Sequence, residues 1–287
     1  MPEYSRPVTL DDALLRLART TPTILAGGTD HYPARVGKPL VDDILDITAI
    51  SGLRGVEDRG DHWRIGATTT WTDLIEARLP PLFDGLKLAA REIGGVQIQN
   101  SATLAGNICN ASPAADGMPA LLSLDAGVEL ASTQGVRLVP VEHFVLGSRK
   151  TARRPAELVT ALRIPKPRFS ARGNFLKFGA RKYLVISISM VAAVIEHEDG
   201  IVRRAAIAVG SCSAVASRML ELELDLTGKP FDAGLAALVG PQHLTRLDPI
   251  DDVRASAAYR MDASLTLLRR TLAGLTHAGL THAGLTQ

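Results

Sequence analysis

Residues 103–125 constrain this chain more than any other stretch. They read Thr-Leu-Ala-Gly-Asn-Ile-Cys-Asn-Ala-Ser-Pro-Ala-Ala-Asp-Gly-Met-Pro-Ala-Leu-Leu-Ser-Leu-Asp. Small residues let a backbone approach a ligand closely, and the amides and hydroxyls among them supply directed hydrogen bonds. Thr103 and Asn107 are spaced to set a hydroxyl and an amide on either side of a tight backbone. Asp116 precedes an apolar run that predicts a helix over 118–124. It reads as the cap of that helix or as an acceptor for a sugar-type hydroxyl, and the two roles can coexist. Alone, the stretch supports only the binding of something phosphorylated.

A second loop lies far upstream, Ala26-Gly27-Gly28-Thr29-Asp30, after a short apolar strand over 23–26. Paired glycines can turn N–H groups inward and Thr29 adds a hydroxyl donor, although paired glycines at strand ends are often plain turns. Neither loop carries Lys or Arg. A diphosphate held between two such loops needs little cationic neutralisation.

Other chemistries lack their signatures. None of the 25 glycines stands two residues from another, so there is no G-x-G-x-x-G fingerprint. There is no P-loop, no G-x-S-x-G elbow and no H-E-x-x-H. Lys+Arg 32 against Asp+Glu 30 gives a net charge of +2, no footprint for nucleic acid. The basic clusters at 149–154 and 163–172 read as solvated faces. Two cysteines, Cys109 and Cys212, with no C-x-x-C, give no metal site or disulfide framework. A reducing compartment is the simpler reading, and a single Cys109–Cys212 bridge stays open. No signal peptide or membrane span is expected, which points to the cytoplasm. Asn110-Ala-Ser is a glycosylation sequon on paper only.

With 46% hydrophobic residues, 287 positions suffice for two domains or one large one. Thr9 predicts the cap of an amphipathic helix bearing Leu10, Ala13, Leu14, Leu17 and Ala18 on one face. Strands are predicted over 44–47, 63–67, 128–131, 136–139 and 158–164, helices over 70–77 and 80–93, and an extended segment over 96–101. Pro165-Lys166-Pro167 is the best boundary. Beyond it come a long strand over 185–196, a turn at Asp199-Gly200, a returning strand over 201–209, a helix over 217–224 and a long amphipathic helix over 251–272. Arg269 and Arg270 are placed to meet that helix's C-terminal dipole. A near-triple Ala-Gly-Leu-Thr-His repeat follows, read as a frayed tail whose histidines are too isolated for a metal.

The two loops together, in this order, resemble the FAD-binding medium subunit of the molybdenum hydroxylases, of the xanthine dehydrogenase and carbon monoxide dehydrogenase type. The carriers are Ala26-Gly-Gly-Thr-Asp, Gln97-Ile-Gln-Asn-Ser-Ala-Thr-Leu-Ala-Gly-Asn-Ile, Ala111-Ser-Pro-Ala-Ala-Asp, Pro119-Ala-Leu-Leu, Phe175-Leu-Lys and Arg181-Lys. Arg204-Ala-Ala-Ile-Ala-Val-Gly and Ala257-Ala-Tyr-Arg also match, so the resemblance spans residues 4–272.

It implies an α+β chain with a vanillyl-alcohol-oxidase/PCMH-type FAD-binding fold. The units would be 1–55, 56–167 and a C-terminal domain over 168–272 with a three-stranded antiparallel sheet and helices, leaving 273–287 as tail. Carried over by position, Ile24, Leu25, Ala26, Gly27, Gly28, Thr29, Asp30 and His31 would line the diphosphate and adenosine side. Ile93 and Gly94 would pack near the ring or ribityl chain. Thr103, Gly106 and Asn107 would hold the diphosphate, Asp116 would meet a sugar or ribityl hydroxyl, and Val159 and Lys177 would approach the isoalloxazine. Two positions depart from the pattern: Ala105 replaces a usual glycine, and His31 stands where an aliphatic residue is common. FAD is expected to be non-covalent.

The resemblance also implies an electron-transfer role with no catalytic residue for the organic substrate. A small [2Fe–2S] subunit and a large molybdopterin subunit would be the partners, in a dimer of heterotrimers. Electrons would pass from the clusters to FAD and on to an external acceptor. Two rivals remain: a stand-alone NAD(P)H-dependent flavin reductase on the same fold, which would need a proton donor facing its substrate, and a non-redox nucleotide- or partner-binding subunit.

Overall fold

The computed structural model describes residues 2–39 and 41–276. The first unit comprises β1 (Tyr4–Ser5), α1 (Leu10–Arg19), β2 (Thr23–Leu25) and β3 (Ile44–Asp46). Its sheet is parallel, in the order β1-β3-β2. Thr9 caps α1 as predicted, its Oγ1 accepting from the Asp12 N–H at 3.2 Å. The 3.6-residue period puts Ala13, Leu14 and Leu17 inward. They meet Leu45 and Ile47, and also Ala131 and Leu158 of the next unit, so the two units share one apolar seam.

The second unit opens with β4 (Val56–Asp58) and β5 (His62–Gly66). Five helices follow: α2 (Trp71–Glu76), α3 (Asp84–Glu92), α4 (Val96–Ser101), α5 (Leu104–Asn110) and α6 (Gly117–Ser123). It closes with β6 (Gly127–Ser132), β7 (Gly135–Pro140), α7 (Val141–Phe144), β8 (Val145–Gly147), β9 (Lys150–Thr151) and β10 (Leu158–Pro165). The main sheet is antiparallel, in the order β4-β5-β10-β6-β7. The helices cover one face around Trp71, Phe83, Leu86 and Leu121.

The third unit comprises β11 (Ser170–Phe178), β12 (Ser189–Glu198), β13 (Ile201–Gly210), β14 (Ser217–Arg218), α8 (Leu220–Leu226) and α9 (Ala257–Thr276). Three long antiparallel strands carry the two-residue β14 at one edge. The turn between β12 and β13 has φ of 51° at Asp199 and 71° at Gly200, the double left-handed geometry of a two-residue hairpin. Strand β12 is apolar on both faces because both are covered. Met190, Ala192 and Val194 join the core under α3 and α6, while Val191, Ala193 and Ile195 join the core under α8 and α9. The sheet therefore buries one face against the second unit and fixes the third unit upon it.

Several boundaries differ from expectation. Residues 96–101, predicted extended, form α4. A six-residue run is too short to separate the two periods. The Ala102 N–H donates to Ile98 O at 2.7 Å, and Gln99 Nε2 donates to the Arg91 and Ile93 carbonyls, closing α3. Residues 217–224 split into β14 and α8 because Ser217 and Arg218 pair with Val209 and Ala208. Strand β12 begins at Ser189 rather than 185.

The last helix begins at Ala257 because Asp252 holds the Arg254 and Ala255 N–H groups and Asp251 receives the Ala257 N–H. It runs to Thr276, so Arg269 is interior and donates to the Val239 carbonyl rather than meeting a helix end. Residues 273–276 of the expected tail belong to it, and the rest of that tail lies outside the described residues. Both cysteines are free. No described helix is long and apolar enough to cross a membrane.

Candidate cofactor site

A cavity of about 580 Å³ opens between the first two units. One wall is the end of β2 and its loop, from Pro22 to His31, and the facing wall is Ala102 to Asn110. The walls meet tightly. A Cβ on Gly27 would fall 2.0 Å from the Ser101 carbonyl oxygen, and Gly28 has a left-handed φ of 69°. Glycine is the only residue that meets both demands without displacing the backbone.

The facing wall is the start of a helix. Thr103 caps α5, its Oγ1 accepting from the Gly106 N–H at 3.0 Å, which leaves the hydroxyl proton to donate. Thr103 pairs with Thr70, and the Trp71 N–H donates to Ala102 O at 3.1 Å, tying α2 to the same corner. Ala105 lies within α5 and lines the cavity, so the extra methyl of this departure sits in ordinary helical backbone.

Three buried polar atoms lack a hydrogen-bond partner and belong to residues of this cavity: His31 Nε2, Trp71 Nε1 and Asn107 Oδ1. Buried polar groups are almost always satisfied, so three orphans on residues of one cavity wall set this region apart. Burial, reinforced by the nearby Arg35 charge, holds His31 below its ordinary value and hence neutral at pH 7. The cavity size falls in the range of small-molecule and cofactor sites.

Of the residues expected at the site, the structure brings together Ile24, Leu25, Ala26, Gly27, Gly28, Thr29, Asp30 and His31 with Ile93, Thr103, Gly106, Asn107 and Val159. Gly94, Asp116 and Lys177 are not in the cavity wall. Asp116 does not cap α6 with its side chain. Instead Asp116 Oδ2 takes Lys177 Nζ at 2.6 Å and Oδ1 accepts from Ser187 Oγ at 2.6 Å, a buried network joining the second and third units. Burial pushes the Asp116 carboxyl up, against the pull of Lys177 and Ser187, and burial also pushes Glu92 up. Lys177 Nζ reaches the Glu92 carbonyl oxygen at 3.3 Å as well.

Sequence reasoning missed Trp71, Arg149 and Arg153. Trp71 carries no local signal: it is one large residue at a helix start. The arginines belong to the basic cluster read as a solvated face. Arg149, itself exposed, and the half-buried Arg153 line the cavity, whereas Arg154 does not. In the other cluster, Arg163 turns inward to the buried Glu129, since β10 and β6 are register partners. Cys109 also lines the cavity. The residue is exposed by surface area, yet burial pushes its thiol up to about 11, against the pull of Arg153.

Comparison with known proteins gives a consistent result. The FAD binding domain in molybdopterin dehydrogenase matches residues 1–167, and the CO dehydrogenase flavoprotein C-terminal domain matches residues 174–275. The chain is 31% identical over 280 residues to the putative xanthine dehydrogenase FAD-binding subunit XdhB of Escherichia coli K12, covering 94% of each chain. It is 27% identical over 280 residues to the carbon monoxide dehydrogenase medium chain of Hydrogenophaga pseudoflava, covering 94% of this chain and 95% of that one. Among solved structures, carbon monoxide dehydrogenase from Hydrogenophaga pseudoflava, in a form lacking the Mo-pyranopterin moiety, superposes with a TM-score of 0.84 at 26% identity over 96% of both chains. Quinoline 2-oxidoreductase from Pseudomonas putida 86 shares the fold, with a TM-score of 0.86 at 22% identity over 96% of both chains.

Proposed function

The chain belongs to the family of FAD-binding subunits of molybdopterin dehydrogenases, and on that premise we propose that it accepts electrons from [2Fe–2S] clusters of a partner subunit and delivers them to an external acceptor. It is the flavoprotein subunit of an oxidoreductase. The reading includes a small iron–sulfur partner and a large molybdopterin partner, in a cytoplasmic dimer of heterotrimers. A [2Fe–2S] cluster takes four cysteine-type ligands, and this chain has two cysteines.

The carrying observation is the cavity itself: two small-residue walls with His31, Trp71 and Asn107 left incompletely bonded. Bound there, FAD supplies storage for two electrons between one-electron carriers and an acceptor. The chain's residues hold and shield it. Thr103 presents a hydroxyl proton, Asn107 contributes a side-chain amide to the wall, and the glycines of the β2 loop let backbone come close. Neutral His31 adds a polar edge without charge. The buried Asp116–Lys177 pair, outside the cavity wall, ties the third unit to the second.

The test is spectroscopic. The purified chain, reconstituted with FAD, should be yellow with the absorption bands of oxidised flavin at one FAD per chain. Asn107→Leu should weaken FAD binding about tenfold, the loss of roughly one hydrogen bond, with far-ultraviolet circular dichroism unchanged. A colourless chain that takes up no FAD would overturn the reading.

A further inference from the structure

We propose that Arg149 and Arg153 contact the phosphate oxygens of the bound dinucleotide and supply the positive charge that both loops of the cavity lack. This rests on FAD being the occupant. Both arginines line the cavity together with the β2 loop and the start of α5. The third arginine there, Arg35, is already paired with Asp42.

Arg149 and Arg153 have no carboxylate partner among the described residues. Arg149 Nη1 bonds only to Asn110, through its carbonyl and side-chain oxygens. Arg153 Nη1 is pinned by the carbonyls of Arg154, Pro155 and Glu157 at 3.2, 3.3 and 2.9 Å, and Nε and Nη2 have no hydrogen bond among the described residues. A guanidinium with open N–H groups is the side chain best shaped for phosphate oxygens.

The backbone gives a second, independent argument. Arg149 adopts φ of 58° and Ala111 φ of 48°, both left-handed and both non-glycine. They meet: the Arg149 N–H donates to Ala111 O at 2.8 Å. Two disfavoured residues in contact, at the end of a ligand cavity, are the signature of a conformation retained for what it positions. Here it seats the β8–β9 turn against the end of α5 and brings the Arg149 side chain to the cavity wall.

The same left-handed backbone provides a variant that keeps the fold. Glycine occupies φ of 58° without strain, so Arg149→Gly removes the side chain and preserves the turn. FAD and riboflavin, which lacks phosphate, are titrated into the full chain at low and high salt. Arg149→Gly and Arg153→Gln should each weaken FAD about tenfold and flatten its salt dependence. Riboflavin should bind the variants and the wild type alike. Lys150→Gln, on the same turn but outside the cavity wall, should leave FAD binding unchanged. The proposal fails if FAD affinity and its salt dependence survive both arginine changes, or if riboflavin weakens in step with FAD. A wild-type chain that takes no FAD overturns the functional reading and this one with it. FAD binding that ignores both arginines overturns this one alone.

Discussion

The cavity region and the C-terminal unit both bury polar groups, but they treat them differently. Around the cavity, the unpartnered atoms of His31, Trp71 and Asn107 belong to residues that converge on one space. In the C-terminal unit, unpartnered atoms occur on His197, Ser211, Arg260 and Thr271, and none of these lines that cavity. Most buried polar groups there are closed on one another. Arg260, 3% exposed, donates to Ile188 O, Ser211 O and Asp252 Oδ1. Ser189 and Ser264 share a hydrogen bond at 2.8 Å, and Glu223 receives Arg218 and the Ile207 N–H. Both regions keep unpartnered buried atoms, but only around the cavity do they belong to residues lining one void. Stability and cofactor retention should therefore separate by region.

The largest expected effect tests the self-contained side. Arg260→Leu leaves the Ile188 and Ser211 carbonyls without their guanidinium donor and removes one of several donors to Asp252, and should cost about 3 kcal/mol in denaturant-induced unfolding. FAD affinity of the folded variant should stay within about twofold. A tenfold loss of FAD would break the comparison, showing that the Ile188 anchor sets the cavity from a distance.

Next comes Gly27→Ala. Its methyl overlaps the Ser101 carbonyl, and overpacking of this kind costs about 2 kcal/mol. Because the wall must part to admit it, the cost should fall mainly on FAD, with affinity lower by roughly thirtyfold. Isothermal titration beside a thermal melt separates the two. A lower melting temperature with undiminished FAD binding would show that the seam is structural only.

The smallest effect is a pH dependence. Backbone hydrogen bonding from Arg254 and the Arg260 contact, working against burial, hold Asp252 at about 2, below its ordinary 3.8. The charged carboxylate therefore stabilises the fold above the ordinary value, and that contribution drains as pH falls toward the folded one. Asp252→Asn should be less stable than wild type near neutrality, and the gap should close on acidification through that window. FAD binding by the variant at neutral pH should not change. A gap that persists at the acid end would mean that Asp252 acts by shape rather than charge.

Much of the fold is legible along the chain because it rests on local periods and turn chemistry. The face of α1, its Thr9 cap and the Asp199-Gly200 hairpin all follow from residues within a few positions of one another. The stretch 96–101 misleads because strand and helix periods diverge only over longer runs. The start of the last helix is hidden because Asp252 and Asp251 fix it through side-chain bonds that propensity does not encode.

The site divides in the same way. Small residues at 26–30 and 103–107 allow close backbone approach whatever surrounds them, and so the sequence by itself determined that these two stretches can form the tight walls of a cavity. That Asp116 would bind Lys177 and Ser187 instead of capping a helix was decided by the packing of β11 and of the segment before β12 against α6. That Arg149 and Arg153 would line the cavity was decided by the seating of the β8–β9 turn on α5. A side chain's direction depends on the register and docking of distant elements. Charge and composition along the chain carry no record of either.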